Sequence, residues 1–229
     1  PSRIVLVRRS FDGERQFQGF AGDRGHGFAD QALEPVVLPE ARWLLVGTLP
    51  LAAPTSAAAL WSAVQKARRQ GTALALDVNW RPTFWDDAAD PSAGPSAAAL
   101  NASRPLLEQA ALIKLAREEA LWCFSSDDPT VIQRSLSQEP DVVVTNGGQP
   151  ARWCISGETG LQEVFQPPCV VDTTGAGDAF MAGLLHRWGA SPVERIRFAA
   201  ACGALVCSGA GAIDPQPTEA EVDGFIEAP

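Results

Sequence analysis

The residues best suited to chemistry form one string, Asp172-Thr173-Thr174-Gly175-Ala176-Gly177-Asp178-Ala179-Phe180-Met181-Ala182-Gly183-Leu184-Leu185. A short apolar run, Cys169 to Val171, enters it, and a helical pattern leaves it through Phe180, Leu184, Leu185 and Trp188. The small residues between let bare backbone approach a ligand closely. At a helix start their N–H groups have no intrahelical acceptor, so they form a seat for an anion. Asp178 stands beside that seat, where a carboxylate is a liability unless it handles a proton. The chemistry that suits this arrangement is phosphoryl transfer to a hydroxyl. Taken as an isolated Gly-x-Gly-Asp, the same residues read as no more than a helix cap.

A second candidate group is Asp77-Val78-Asn79-Trp80-Arg81. Arg81 carries a planar fork suited to oxyanions and could hold a reacting phosphate or an acceptor molecule. Asp77 and Asn79 leave the same strand end and could orient Arg81 or the acceptor; a plain surface ion pair between Asp77 and Arg81 is the alternative. Glu119 reads either as a metal-linked carboxylate or as a solvated acid at a helix start. His26 and His186 have no partner at a meaningful spacing and read as structural.

These groups need a scaffold, and the chain supplies an alternating one. Strand-like runs occur at Trp43 to Gly47, Thr72 to Asp77, Leu112 to Leu115 and Asp141 to Thr145. A helical stretch, Thr55 to Arg69, separates the first two and ends at Gly71, as helices tend to. Apolar, branched strands interleaved with helices predict an α/β fold, a mostly parallel sheet sandwiched by helices. Ligands in such sheets sit beyond the carboxyl ends of the strands. The polar clusters fall there: Asp77 to Arg81, Lys114 to Glu119, and Thr145-Asn146-Gly147-Gly148. Residues 3–20 read as a β-hairpin turning at Asp12-Gly13. Ala88 to Ser103 reads as a surface loop leading into a helix, and Ala176 to Trp188 and Pro192 to Cys207 read as the last two helices.

Composition narrows the function classes. With 229 residues, 46% apolar and 20% charged, the chain suits one α/β domain with a substantial core. A net charge of −9 argues against nucleic acid or an anionic membrane as partner. No apolar run approaches the ~18 residues of a membrane span, and no signal peptide precedes the first strand. The five cysteines are odd in number and contain no C-x-x-C pair, which predicts reduced, buried thiols in a cytoplasmic compartment. No Gly-x-x-x-x-Gly-Lys exists, which excludes a P-loop enzyme; Phe180 stands where a dinucleotide fingerprint needs its third glycine.

The string from Asp172 to Leu185 also resembles the C-terminal signature of the PfkB, or ribokinase-like, carbohydrate kinases, and the whole string favours catalysis over capping. The resemblance extends to Gly13-Glu14-Arg15-x-Phe17, similar to a hairpin of the family's β-lid, to Gly47-Thr48-Leu49, to Asp77-x-Asn79-x-Arg81-Pro82-x-x-Trp85 of fructokinase-like members, and to Ser208 to Pro215. It implies a ribokinase-like fold with a lid segment at 1–37 and a nucleotide-binding α/β core at 38–229. It implies a catalytic base at Asp178, an anion hole from Gly175, Ala176 and Gly177, and sugar contacts from Asp77, Asn79, Arg81 and Asp178. It implies nucleotide contacts from Thr145, Asn146, Gly147, Gly148, Gly177, Ala200 and Gly209. Glu119 would link to Mg²⁺ through water, since Mg²⁺ keeps much of its hydration shell. Asp172, Thr174 and Gly211 would hold a monovalent cation such as K⁺. ATP is the implied donor, a sugar the implied acceptor, and a homodimer paired through the lid the implied assembly.

Three departures qualify the resemblance. Ala116 stands where the family has asparagine, and Pro150 where it has glycine. The family's early substrate-binding aspartate and Gly-Gly-x-x-x-Asn segment find no match, so the chain reads as lacking the family's N-terminal part. Fructose is the preferred acceptor, with ribose, 2-keto-3-deoxygluconate and nucleosides next. A homologue that binds nucleotide without turnover is the reading from a different class.

Overall fold

The computed structural model describes residues 4–9, 15–21, 40–86, 88–167 and 169–228. Strands β1 (Ile4–Arg9) and β2 (Arg15–Ala21) form a two-stranded sheet. The hairpin reading of residues 3–20 therefore finds its two strands. Its Asp12-Gly13 turn, like His26, lies outside the described residues. The rest of the chain divides into two compact units, one ending at Thr145 and the other beginning at Asn146.

The first unit is built on parallel strands in the order β3 (Trp43–Gly47), β4 (Ala73–Asp77), β5 (Leu112–Ala116) and β6 (Asp141–Asn146). Gly47 lies opposite Asp77, Asp77 opposite Lys114, and Ala116 opposite Thr145. That register brings residues distant in sequence to one carboxyl edge. Strands β4 and β5 are buried almost residue after residue, as runs covered on both faces must be. Leu76, Ile113 and Leu115 are fully buried, each contributing about 1.5–3 kcal/mol of transfer free energy.

Among the described residues of this unit the α-helices are α1 (Pro54–Arg69), α2 (Pro82–Trp85), α3 (Ala97–Gln109), α4 (Arg117–Phe124) and α5 (Pro129–Arg134). Helix α1 starts with proline at its first position and buries Ser56, Leu60, Val64 and Ala67, a stripe at helical spacing. It stops in a Schellman motif. Gly71 turns left-handed at φ +75, its N–H donates to Arg68 O at 3.2 Å, and Thr72 N donates to Ala67 O at 2.9 Å. The segment 88–103, read as a surface loop leading into a helix, turns helical at Ala97, where the Ser96 hydroxyl accepts from Ala99 N and caps α3.

The second unit contains the antiparallel strands β7 (Gln149–Ile155) and β8 (Glu158–Gln162) and helices α6 (Ala176–His186), α7 (Pro192–Val206) and α8 (Glu219–Glu227). Ile155 pairs with Glu158 across Ser156 and Gly157, both left-handed, which makes a two-residue turn matched to the strand twist. Helices α6 and α7 approach closely at Gly183, where an added Cβ would lie 2.7 Å from Cys202 Sγ and 3.1 Å from Ala199 Cα. Arg187 closes the α8 side. Its Nη2 lies 2.8 Å from both Glu219 and Asp223, and its guanidinium sits over the Phe198 ring. His186 fits its structural reading, with Nε2 3.1 Å from Glu219 Oε2 and its ring near Phe198.

The cysteines are all free thiols. Cys154 and Cys202 are buried as expected, whereas Cys169 is exposed, because its segment is a surface connection into Asp172. Among the described residues no helix is long and apolar enough to cross a membrane.

Helix α7 begins with a reciprocal cap: Glu194 N donates to Ser191 Oγ, and Ser191 N donates to Glu194 Oε2. Replacing Ser191 by alanine leaves Glu194 N to water, while the N–H of residue 191 keeps Glu194 Oε2 as its acceptor. Ser191→Ala is expected to lower unfolding free energy by about 1 kcal/mol, read as a lower urea midpoint with an unchanged slope.

Candidate active site

The second unit holds the signature string, and its geometry is built around Asp172. This carboxylate is buried and therefore needs donors. Oδ1 accepts from Thr174 N at 3.0 Å and from Thr174 Oγ1 at 2.6 Å, while Oδ2 accepts from Gly211 N at 3.0 Å. Val171 N and Asp172 N donate to Cys207 O at 2.8 and 3.2 Å. One side chain thus fixes the approach to Gly175 and ties it to the loop after α7. Gly175 is left-handed at φ +86, and an added Cβ would stand 3.0 Å from Ala212 Cα. Only glycine meets both conditions.

Helix α6 starts immediately after it. The N–H of Ala176 turns to Thr173 O at 3.3 Å, so Gly177 and Asp178 hold the helix-start amides without an intrahelical acceptor. Asp178 is exposed in the first turn, beside the positive end of the helix dipole. Among the other expected ligand contacts of this unit, Gly209 packs against Pro215, where a Cβ would approach Pro215 Cβ to 2.5 Å. Gly211 is left-handed at φ +84. Ala200 is half-buried on α7. Thr145 and Asn146 end β6, and Gly147 turns left-handed at φ +53 before Gly148.

In the first unit the segment after β4 is clamped from several sides. Val78 N donates to Lys114 O at 3.1 Å. Thr48 Oγ1 donates to Val78 O at 2.6 Å. Asn79 is left-handed at φ 47. Trp80 N then donates to Glu119 Oε1 at 2.6 Å, and its indole Nε1 donates to Ala93 O at 2.8 Å. Arg81 Nη1 donates to Trp80 O at 2.7 Å, and Trp85 stacks on Trp80 with ring centroids 5.4 Å apart. Asp77, Asn79, Arg81 and Glu119 are therefore brought together at one strand edge.

Two sequence readings change here. Asp77 is not a surface group: it is buried, and Lys114 Nζ reaches both of its oxygens at 3.1 and 2.9 Å. Glu119 is not solvated: it is 6% exposed, and its second oxygen accepts from Ala116 N at 2.7 Å. Burial raises the Glu119 pKa above its ordinary 4.5; the amides of Ala116 and Trp80 and the charge of Lys114 oppose that shift, and Asp77 adds to it. Lys114 is the site residue that spacing alone misses, since its partner lies on the neighbouring strand.

The profile of the pfkB family of carbohydrate kinases matches residues 5–219, and the chain belongs to that family. A fructokinase of Salmonella typhimurium is 28% identical over 232 residues, covering 96% of this chain and 72% of that enzyme. Fructokinase-1 of Zea mays is 30% identical over 238 residues, covering 98% and 71%. Together these assign the chain to the sugar kinase enzymes. A fructokinase structure from Vibrio cholerae O395, holding fructose, ADP and a calcium ion, matches with a TM-score of 0.75. That match covers 99% of this chain and 75% of that one at 23% identity. It establishes the ribokinase-like α/β fold, a mixed sheet of six strands flanked by helices.

Because the folded chain raises the Glu119 pKa, the group favours folding most at acid pH, and that contribution falls away as pH rises above 4.5. In Glu119→Gln the amide NH₂ must face one of two backbone donors, which costs about 1–3 kcal/mol. Thermal melts of both chains should show the variant less stable at neutral pH, with the gap widening as pH falls from 7 to 5.

Proposed function

We propose that this chain is a fructokinase, transferring the γ-phosphoryl group of ATP to a hydroxyl of fructose. The observation that carries this reading is the start of α6: left-handed Gly175, two helix-start amides at Gly177 and Asp178, and the Asp178 carboxylate exposed beside them. The fructokinases of Salmonella typhimurium and Zea mays support fructose as the acceptor.

In this mechanism the fructose hydroxyl oxygen attacks the γ-phosphorus in line, a new O–P bond forms, and the bond to the bridging oxygen of ADP breaks. The hydroxyl proton passes to Asp178 and from there to solvent. A carboxylate is a weak base toward an alcohol, so the proton moves late. Backbone donors around Gly175, Ala176 and Gly177 carry the larger share, since losing one such donor costs roughly 10²–10³ in rate. Ala176 N contributes only by leaving Thr173 O, to which it donates at 3.3 Å. Arg81 and Asn79 orient the acceptor. Thr145, Asn146, Gly147, Gly148, Ala200 and Gly209 take the nucleotide, with β1 and β2 as the lid over the sugar and the surface through which two copies pair.

Mg²⁺ fits as an ion that arrives on the nucleotide phosphates. Among the described residues no group of three acidic, histidine or cysteine side chains could hold a metal. Both Glu119 oxygens already accept amide protons, which leaves their outer lone pairs for metal-bound water. When bound, the ion neutralises charge on the phosphates. Both Asp172 oxygens are likewise committed to donors, so a K⁺ ion would be held by backbone carbonyls of Asp172, Thr174 and Gly211 rather than by that carboxylate.

The test is ADP release on a panel of fructose, ribose, 2-keto-3-deoxygluconate and a nucleoside, run with Asp178→Asn alongside. Fructose-dependent turnover is expected, and Asp178→Asn should lose about 10²–10⁴ of it while binding ATP normally. Turnover on another acceptor alone would reassign the substrate. Unchanged turnover in the variant would remove Asp178 from the chemistry, and ATP binding with no acceptor consumed would favour a non-catalytic homologue.

A further inference from the structure

We propose that Lys114 is a positioning residue for sugar phosphorylation, acting through its ion pair with Asp77 to hold the Asn79 to Arg81 segment in its working conformation. This inference rests on the kinase reading above and adds a residue that the signature does not contain.

Lys114 is 7% exposed and Asp77 8%, and Lys114 Nζ lies 2.9 Å from Asp77 Oδ2 and 3.1 Å from Oδ1. A buried ion pair is a poor route to stability, because an apolar pair of similar volume often does as well or better. The place of this pair gives it a different use. Asp77 is the last residue of β4, directly opposite Lys114 in the parallel register, at the strand edge where ligands of such sheets sit.

The chain then makes a left-handed turn. Asn79 sits at φ 47, a conformation that asparagine adopts more readily than other non-glycine residues, so the anchors beside it select this conformation from several open to it. The anchors lie on both sides of it. Asp77 is fixed by the Lys114 ammonium, Val78 N by Lys114 O at 3.1 Å, and Val78 O by Thr48 Oγ1 at 2.6 Å. Trp80 N is fixed by Glu119 Oε1 at 2.6 Å. Lys114 therefore grips the segment twice, by its side chain and by its carbonyl. With both Asp77 oxygens turned to Lys114, that carboxylate serves the segment's shape, and contact with the acceptor falls to Asn79 and Arg81.

The experiment compares Lys114→Met, Lys114→Arg, Asp77→Asn and the double variant Asp77→Asn/Lys114→Met in the same chain. Three readouts are taken: steady-state kinetics for sugar and ATP, the thermal midpoint, and hydrogen exchange at the Val78 and Trp80 amides. Lys114→Met should lower kcat/KM for the sugar roughly 10- to 100-fold, the scale of a small misplacement, with KM for ATP within about twofold. Lys114→Arg should recover much of the loss. The double variant, which removes both charges together, should be no worse than either single change, because the pair acts as a unit. Exchange at Val78 and Trp80 should rise in Lys114→Met relative to Leu76 deeper in the strand.

A rise confined to KM for ATP would make Lys114 a nucleotide contact and overturn the inference. So would a further tenfold loss on adding Asp77→Asn to Lys114→Met, which would mean that Asp77 touches the sugar directly. If the parent chain turns over no acceptor, the kinase reading fails on its own. Exchange still decides the positioning claim, and unchanged protection at Val78 and Trp80 in a folded Lys114→Met would overturn it. Should Lys114→Met fail to fold, the neutral double variant carries the same comparison.

Discussion

A carboxylate withdrawn from water must be surrounded by donors, and this requirement organises both units of the chain. Asp172 gathers Thr174 and Gly211 around the entry to α6. Glu119 gathers the amides of Trp80 and Ala116 at the exit of β4 and β5. Asp77 takes the ammonium of Lys114. Asp172 and Glu119 tie backbone from separate parts of the chain, Asp77 ties two neighbouring strands through a side chain, and left-handed residues lie beside two of these ties. Gly175 and Asn79, left-handed at φ +86 and φ 47, are each within three residues of such an acid.

This arrangement separates the groups that hold the site from the group proposed to act in it. The buried acids are spent on structure, whereas Asp178, the proposed base, is exposed in the first turn of α6. That division suits phosphoryl transfer, in which the protein positions reactants and offers fixed dipoles while making few covalent demands. Position 116, where the sequence resemblance expects asparagine, is alanine. Ala116 has no side-chain oxygen to cap α4, yet its own N–H still meets Glu119 Oε2, so half of the reciprocal cap survives.

Much of the fold was legible because its signals are local. Four apolar runs predicted the parallel strands to within a residue or two, and Gly71 marked the end of α1. The β7–β8 hairpin went unread although Ser156-Gly157 sits at its turn, because its alternation is interrupted by the adjacent buried residues Trp153, Cys154 and Ile155. Helix α8 was also missed; Thr218 and Glu221 were its visible capping signal. In the site, Gly175 to Asp178 could be read because everything they need is contiguous. The partner of Asp77 could not. Lys114 is 37 positions away, and the two meet only through the β4–β5 register. Glu119 was placed correctly at a helix start, but its burial depends on Trp80 arriving from another strand exit.

The closeness of α6 and α7 has an evolutionary consequence. A side chain at position 183 would occupy the volume that Cys202 Sγ now fills, at 2.7 Å from where its first carbon must go. The two positions therefore share one allotment of space. Relatives that gain a methyl group on one helix must give up bulk on the other, so residues 183 and 202 should drift through sequence space as a linked pair, each setting the alphabet open to its neighbour.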